Sequence, residues 1–175
     1  MTTFEILNEV SSWARLEFLI IGAHAVNAYG YSRFTEDVDI LINRDDRLVW
    51  LSGLEAKGLS LYRDGGVFLQ MTAPPGADPL DLMLVKAETF ARLKEGAKAI
   101  SIGGFTTHVP SLENLFALKF HVLKQELPHR GYKDFMDVLS LADCNGVDLR
   151  SDKFKELCEK FGSRKIYERI LAFKG

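Results

Sequence analysis

Cysteine is scarce in this sequence: Cys144 and Cys158 are the only two among 175 residues. Two thiols exclude a disulfide framework and a zinc site of four cysteines, and both are expected to be reduced. An excess of one charge is also missing, because 22 Lys and Arg stand against 24 Asp and Glu for a net charge of −2. That balance excludes the broad attraction used by non-specific nucleic-acid binders and leaves room only for a local basic patch. Long apolar runs are absent too. The most apolar stretch, LEFLIIGAHAV, is interrupted by Glu17, Gly22 and His24, and MTTFEILNEV lacks the basic start and apolar stretch of a secretory signal. No membrane partner is expected, and the cytoplasm is the expected location. There is no internal repeat and no segment biased enough to be disordered. What is there is an average folded composition, 47% hydrophobic and 26% charged, at a length that suits one domain or a core with a helical appendage.

Periodicity divides the chain at about residue 110. Before it, the apolar spacing predicts a helix over 4–13, a buried strand at 18–21, a small-residue helix over 23–29 closed by Gly30, and a strand over 37–42. A helix is expected from RDDRLVWLSGLEAKG, with Asp45 and Asp46 in its first turn, Leu48, Val49, Leu51 and Leu54 inward, and Gly58 as its stop. Two β segments follow around the turn DGG. The stretch APPGADP, holding three of the five prolines, is loop, and LDLMLV is a third strand. A helix over 87–95 and a hairpin turning on Gly103 and Gly104 complete the first part. Beyond Pro110 only helices are expected, with Ser111 and the serines of SDKFKELCEKFG and SRKIYERILAF as N-caps and a further helix after Gly131. The expected fold class is α+β: a mixed sheet flanked by helices over 1–109, then a C-terminal helical region over 110–175.

The chemistry centres on the strand DVDILI. Side chains alternate along a strand, so Asp37 and Asp39 share one face while Val38, Ile40 and Ile42 share the other. Two carboxylates that close repel, and a divalent cation between them removes the repulsion. A hard ion such as Mg²⁺ is held by one or two carboxylates together with substrate phosphates and water. Asp81, at the start of LDLMLV, is the candidate third acid, ahead of the turn residues Asp64 and Asp78. The plain alternative is a strand edge with a solvated acidic face. What favours the metal is the preceding turn, where a buried strand ends at Gly22 and a short helix presents free N–H groups to an anion.

With those residues in hand, the sequence resembles the DNA polymerase beta-type nucleotidyltransferases. FLIIGAHAVNAYGYSRFTEDVDILI looks most like their minimal and abortive-infection toxin branch, in which an Arg-x-Thr-x-Asp-h-Asp stretch is frequent, here Arg33, Thr35, Asp37 and Asp39. The later SLENLFALKFHVLKQELPHRGYKDFMDVLSLA is similar to the helical motif of that superfamily and supplies Lys119, Lys133, Asp134 and Asp137. The resemblance covers about residues 15 to 143. It departs at the turn, where Gly22-Ala23 replaces the usual Gly-Gly or Gly-Ser and removes one hydroxyl contact to phosphate.

The resemblance implies a polymerase beta-like nucleotidyltransferase fold whose helical region packs on the core and completes the nucleotide site. It implies Mg²⁺- or Mn²⁺-dependent transfer of a nucleoside monophosphate from a nucleoside triphosphate to a hydroxyl of RNA, protein or a small molecule, with a toxin role and an antitoxin partner among the settings. Asp37, Asp39 and Asp81 would be catalytic and metal-holding; Gly22, Ala23, Arg33, Thr35, Lys119, Lys133, Asp134 and Asp137 would contact nucleotide. Other readings stay open for single residues. His24 either packs or acts beside the phosphates, and Arg33 either meets phosphate or is solvated. Lys119 either snorkels or pairs with phosphate. Asp134 and Asp137 either serve the site, pair with Lys133 or occupy an exposed helix face. Lys124, Arg130 and Lys133 form a local basic cluster or a solvated helix junction. For the whole chain, the alternatives are a catalytically degenerate nucleotidyltransferase-fold module acting through a protein partner and, more weakly, a metal nuclease.

Overall fold

A capping box opens the chain. The Thr2 hydroxyl accepts from the Glu5 N–H while the Glu5 carboxylate accepts from the Thr2 N–H, so two donors that a helix start leaves bare are satisfied reciprocally. Helix α1 then runs Thr3–Ala14. The protein is seen here as a computed structural model that describes residues 1–127 and 131–175; Arg130, of the expected basic cluster, lies outside the described residues. The order continues with β1 (Phe18–Ile20), α2 (Gly22–Ala28), β2 (Val38–Asn43), a 3₁₀ turn (Arg44–Asp46), α3 (Arg47–Ala56), β3 (Ser60–Asp64), β4 (Phe68–Thr72), β5 (Leu80–Val85), α4 (Ala87–Lys94), and the hairpin of β6 (Lys98–Ile102) and β7 (Phe105–Val109). Helices α5 (Leu112–Lys124), α6 (Gly131–Cys144), α7 (Asp152–Phe161) and α8 (Arg164–Lys174) follow. The fold is α+β, as the periodicity implied.

Two compact units divide the chain: Met1–Ala25 with Arg33–Ser111, and Val26–Ser32 with Leu112–Gly175. The sequence reading kept residues 26–32 with the first part. They cluster with the helical unit because Asn145 donates its side-chain amide to the Tyr29 carbonyl at 3.0 Å and Gly30, at φ +95°, lies against the Cys144 side chain.

The first unit is built on a five-stranded sheet in the order β1-β2-β5-β4-β3. Strands β2 and β5 run parallel and the other neighbours antiparallel, since a parallel pair needs a crossover and the segment from Arg44 to Pro79 supplies it. Period-two alternation builds the core: Val38 lies beside Leu80, Ile40 beside Leu82 and Ile42 beside Leu84, with Leu69 and Met71 of β4 continuing the rows, all buried. Trp50 is fully buried and meets the edge of Phe18 at 5.7 Å between ring centroids. An added Cβ on Gly53 would sit 2.6 Å from Val10 Cγ1, so this glycine sets how closely α3 approaches α1.

Helix α3 also corrects an expectation. Trp50, Leu51, Gly53 and Leu54 face inward, while Leu48 and Val49 are exposed. The sequence reading started the helix at the aspartates; the 3₁₀ turn uses those residues, so the helical phase begins later, at Arg47, and swings Leu48 and Val49 outward.

In the helical unit, Ser151 and Ser163 accept from the N–H groups of Phe154 and Ile166, the caps that open α7 and α8. Phe116, Phe120 and Phe154 form an aromatic centre, with Phe154 edge-on to the other two at 5.5 and 5.6 Å. Both cysteines are free. Cys144 is exposed, whereas burial first, and the Glu159 carboxylate second, push the Cys158 thiol up to about 12.

Candidate functional site

The site forms where β1 ends. The Ile21 N–H donates to the Asp39 carbonyl at 2.9 Å, one residue past β1, and the backbone then turns through Gly22 at φ +61° into α2. That conformation excludes most side chains. It also places Gly22 directly against Asp39: an added Cβ would lie 2.6 Å from Asp39 Cγ and closer still to its Oδ2. Gly22 is therefore fixed twice, by its backbone and by the carboxylate it faces. Ala23 is fully buried, so the residue that departs from the expected turn pattern spends its methyl on the core.

The parallel pairing sets Asp39 of β2 beside Asp81 of β5. Partners in register on adjacent strands project from the same face about 5 Å apart, which brings together two acids separated in sequence by the whole crossover. The row continues. Gln70 of β4 is opposite Asp81, and its amide Nε2 lies 3.3 and 3.2 Å from the two Asp81 oxygens. Arg63 of β3 comes next, with Nη1 3.5 Å from Gln70 Oε1. Asp39, Asp81, Gln70 and Arg63 thus cross the sheet in one polar row. The sequence reading missed Gln70 and Arg63, because nothing local marks them; only the pairing of β3, β4 and β5 puts them beside Asp81.

Asp37 lies just before β2. The Thr35 hydroxyl contacts Asp37 Oδ1 and also approaches the Asp37 carbonyl at 3.3 Å, so Thr35 holds this carboxylate in place. Arg33 is half-buried in the same loop. His24, in the first turn of α2, stands edge-on to Phe4 at 5.2 Å. Burial lowers its pKa, against an upward pull from the carboxylates of Asp39, Asp78 and Asp37 and a hydrogen bond with the Asp37 backbone. Asp37 and Asp39 therefore both act on one imidazole, and His24 packs on Phe4 as one of its two expected roles requires.

Among the described residues, no group of three or more His, Cys, Asp or Glu side chains converges closely enough to hold a metal ion. The donor chemistry is nevertheless that of a hard cation: carboxylate oxygens on neighbouring strands, with the glycine cradle leaving the Asp39 flank clear of any Cβ. Such a set fits an ion that arrives with substrate phosphates as its other ligands rather than one enclosed by protein.

In the helical motif three of the charged side chains meet one another. Lys119 is buried in α5, and its ammonium donates to Asp134 Oδ1 at 2.7 Å and Asp137 Oδ2 at 2.6 Å, both buried on α6. Asp134 and Asp137 occupy an interior helix face, not an exposed one, and the cation they receive is Lys119. Lys119 neither snorkels to water nor has its ammonium in the open. Lys133 is exposed on α6.

No family model matches the sequence, and no curated protein matches it by sequence. Its structure does have counterparts. The antibiotic-resistance factor ANT(2'')-Ia in solution is similar over 100% of both chains at a TM-score of 0.67 and 17% identity. ANT(2'')-Ia in complex with adenylyl-2''-tobramycin matches 98% of this chain and 94% of its own at a TM-score of 0.58 and 15% identity. An antigenic nucleotidyltransferase-like protein from Paracoccidioides brasiliensis matches over the same shares, 98% and 94%, at 0.52 and 16%. The shared feature is the fold.

Proposed function

We propose that this chain, whose fold is the nucleotidyltransferase fold implied by its sequence motifs, is an enzyme that transfers a nucleoside monophosphate from a nucleoside triphosphate to a hydroxyl acceptor with Mg²⁺ or Mn²⁺. The observation that carries the proposal is the placement of Asp39 against Gly22 and in register with Asp81. Asp37 and Asp39 would hold the ion and Asp81 would complete the site. When bound, the ion neutralises phosphate charge and lowers the pKa of the attacking hydroxyl.

The chain's own residues do the rest by positioning. Thr35 fixes the Asp37 carboxylate, and Gly22 lets Asp39 stand flush against the turn, where the Gly22-Ala23 backbone and Arg33 receive the phosphates. Asp81, oriented by the Gln70 amide, accepts the hydrogen of the acceptor hydroxyl. That oxygen forms its bond to the α-phosphorus as the bond to the β-phosphate oxygen breaks, pyrophosphate leaves, and the proton passes through Asp81 to solvent. Lys119, Asp134 and Asp137 frame the helical unit by tying α5 to α6.

The test is Asp39→Asn. Transfer of labelled nucleotide and metal-dependent nucleotide binding should vanish while the circular-dichroism spectrum and melting curve stay near wild type. Retained metal-dependent transfer in that variant would sink the assignment.

A further inference from the structure

The helical unit holds a cavity that the acid row does not use. It measures about 470 Å³ and lies where the end of α5 meets the start of α6 and the start of α8. Its floor is apolar, with Leu123 and Phe135 buried. Its rim is cationic: among the described residues, Lys124, Lys165 and Arg169 line it against one carboxylate, Glu126. Glu126 pairs with Lys165 at 3.5 Å, but both side chains are more than three-quarters exposed, and an ion pair so well solvated yields readily to a competing anion.

Two aromatic features accompany this charge. The Arg169 guanidinium lies over the Phe135 ring at 4.3 Å from its centroid, which holds a flat cation at the rim. Tyr132, on the same cavity, is 72% exposed. A large aromatic left in water beside three cations is the combination that stacks a nucleobase while neutralising its phosphate. Glu126 alone cannot match a ligand carrying several positive charges.

We propose that this cavity binds a nucleotide unit, its base stacked on Tyr132 and Arg169 and its phosphate on Lys124 and Lys165, presented by single-stranded RNA or by a free nucleotide.

The test uses the full chain carrying Asp39→Asn, without triphosphate, so that failure of transfer leaves the binding result readable. Anisotropy of a short fluorescein-labelled oligoribonucleotide should report binding. Tyr132→Ala and Lys124→Glu, both at exposed positions, should each weaken it roughly tenfold or more. Lys155→Glu, the same charge change on α7 outside the cavity, should alter it by less than about twofold. Competition by AMP would identify a free nucleotide as sufficient, and its failure to compete would identify the strand as the ligand; both outcomes support the site. The proposal is overturned if neither RNA nor AMP binds, if Lys155→Glu weakens binding as much as Lys124→Glu, or if calorimetry shows tobramycin, a polycation, binding where RNA does not.

Discussion

Gly22→Ala tests the acid row at its tightest point. At φ +61° an alanine pays about 1–2 kcal/mol for the left-handed backbone, and its Cβ, 2.6 Å from Asp39 Cγ, forces that carboxylate off its rotamer for a further ~0.5–1.5 kcal/mol. Together these amount to about 1.5–3.5 kcal/mol, or a fall in melting temperature of roughly 3–14 °C for a chain of this size. Activity should fall much further, because displacing a catalytic group by an ångström costs on the order of 100-fold in rate. Gly104→Ala separates the two effects: Gly104 has φ +84° and nothing within 4 Å of an added Cβ, so it carries the backbone strain without moving an acid. Pyrophosphate release and differential scanning calorimetry on both variants make the comparison. If Gly22→Ala and Gly104→Ala transfer nucleotide equally well, the close packing of Asp39 on the turn has no catalytic role and the argument fails.

Other perturbations address the remaining contacts. Gln70→Ala removes the amide that holds Asp81 and should lower kcat about tenfold with little change in the KM for triphosphate, since a hydrogen bond to a charged group contributes roughly 1.5–3 kcal/mol and these are long; an unchanged kcat in steady-state assays would remove Gln70 from the site. Lys119→Met strands two buried carboxylates and should lower stability in urea by about 3–5 kcal/mol, most of it recovered when Asp134 and Asp137 are also made Leu; a loss below about 1 kcal/mol would contradict the triad. His24, with its pKa lowered by burial, binds fewer protons folded than unfolded between its lowered folded pKa and the ordinary histidine value of 6.5, so its contribution to stability is complete above that value and is lost as pH falls through that window. His24→Phe should flatten this limb of the stability profile, and an NMR titration of Asp39→Asn should show the His24 pKa falling further as one raising carboxylate is removed; a rise would contradict the assigned cause.

The elements were legible wherever one residue decides the local backbone. Gly30 and Gly58 follow helix ends, Ser151 and Ser163 cap helices, and Gly103-Gly104 turns a hairpin, each by chemistry that needs no tertiary partner. Strand alternation does not carry over to Asp37, because β2 begins only at Val38. Gln70 was illegible because its meaning comes from the register of β4 on β5, which a single strand does not encode. The Lys119 triad was illegible because it depends on how α5 and α6 cross, and a lysine on an apolar helix face reads the same whether its partner is phosphate, water or a buried acid. The outward turn of Leu48 and Val49 hinged on a single 3₁₀ turn that shifts the phase of everything after it.

The parallel pairing of β2 with β5 also sets a timetable. Asp39 and Asp81 sit side by side in the sheet, yet the ribosome makes the second long after the first: at ~5–20 residues per second the interval is about 2–8 s. During that time the nascent chain carries the turn, Asp37 and Asp39 but lacks the strand that completes the row. A product interrupted anywhere before β5 has no acid row, however well its first helices and strands have formed, so the row is completed in one step, when β5 pairs with β2, rather than accumulating along the chain.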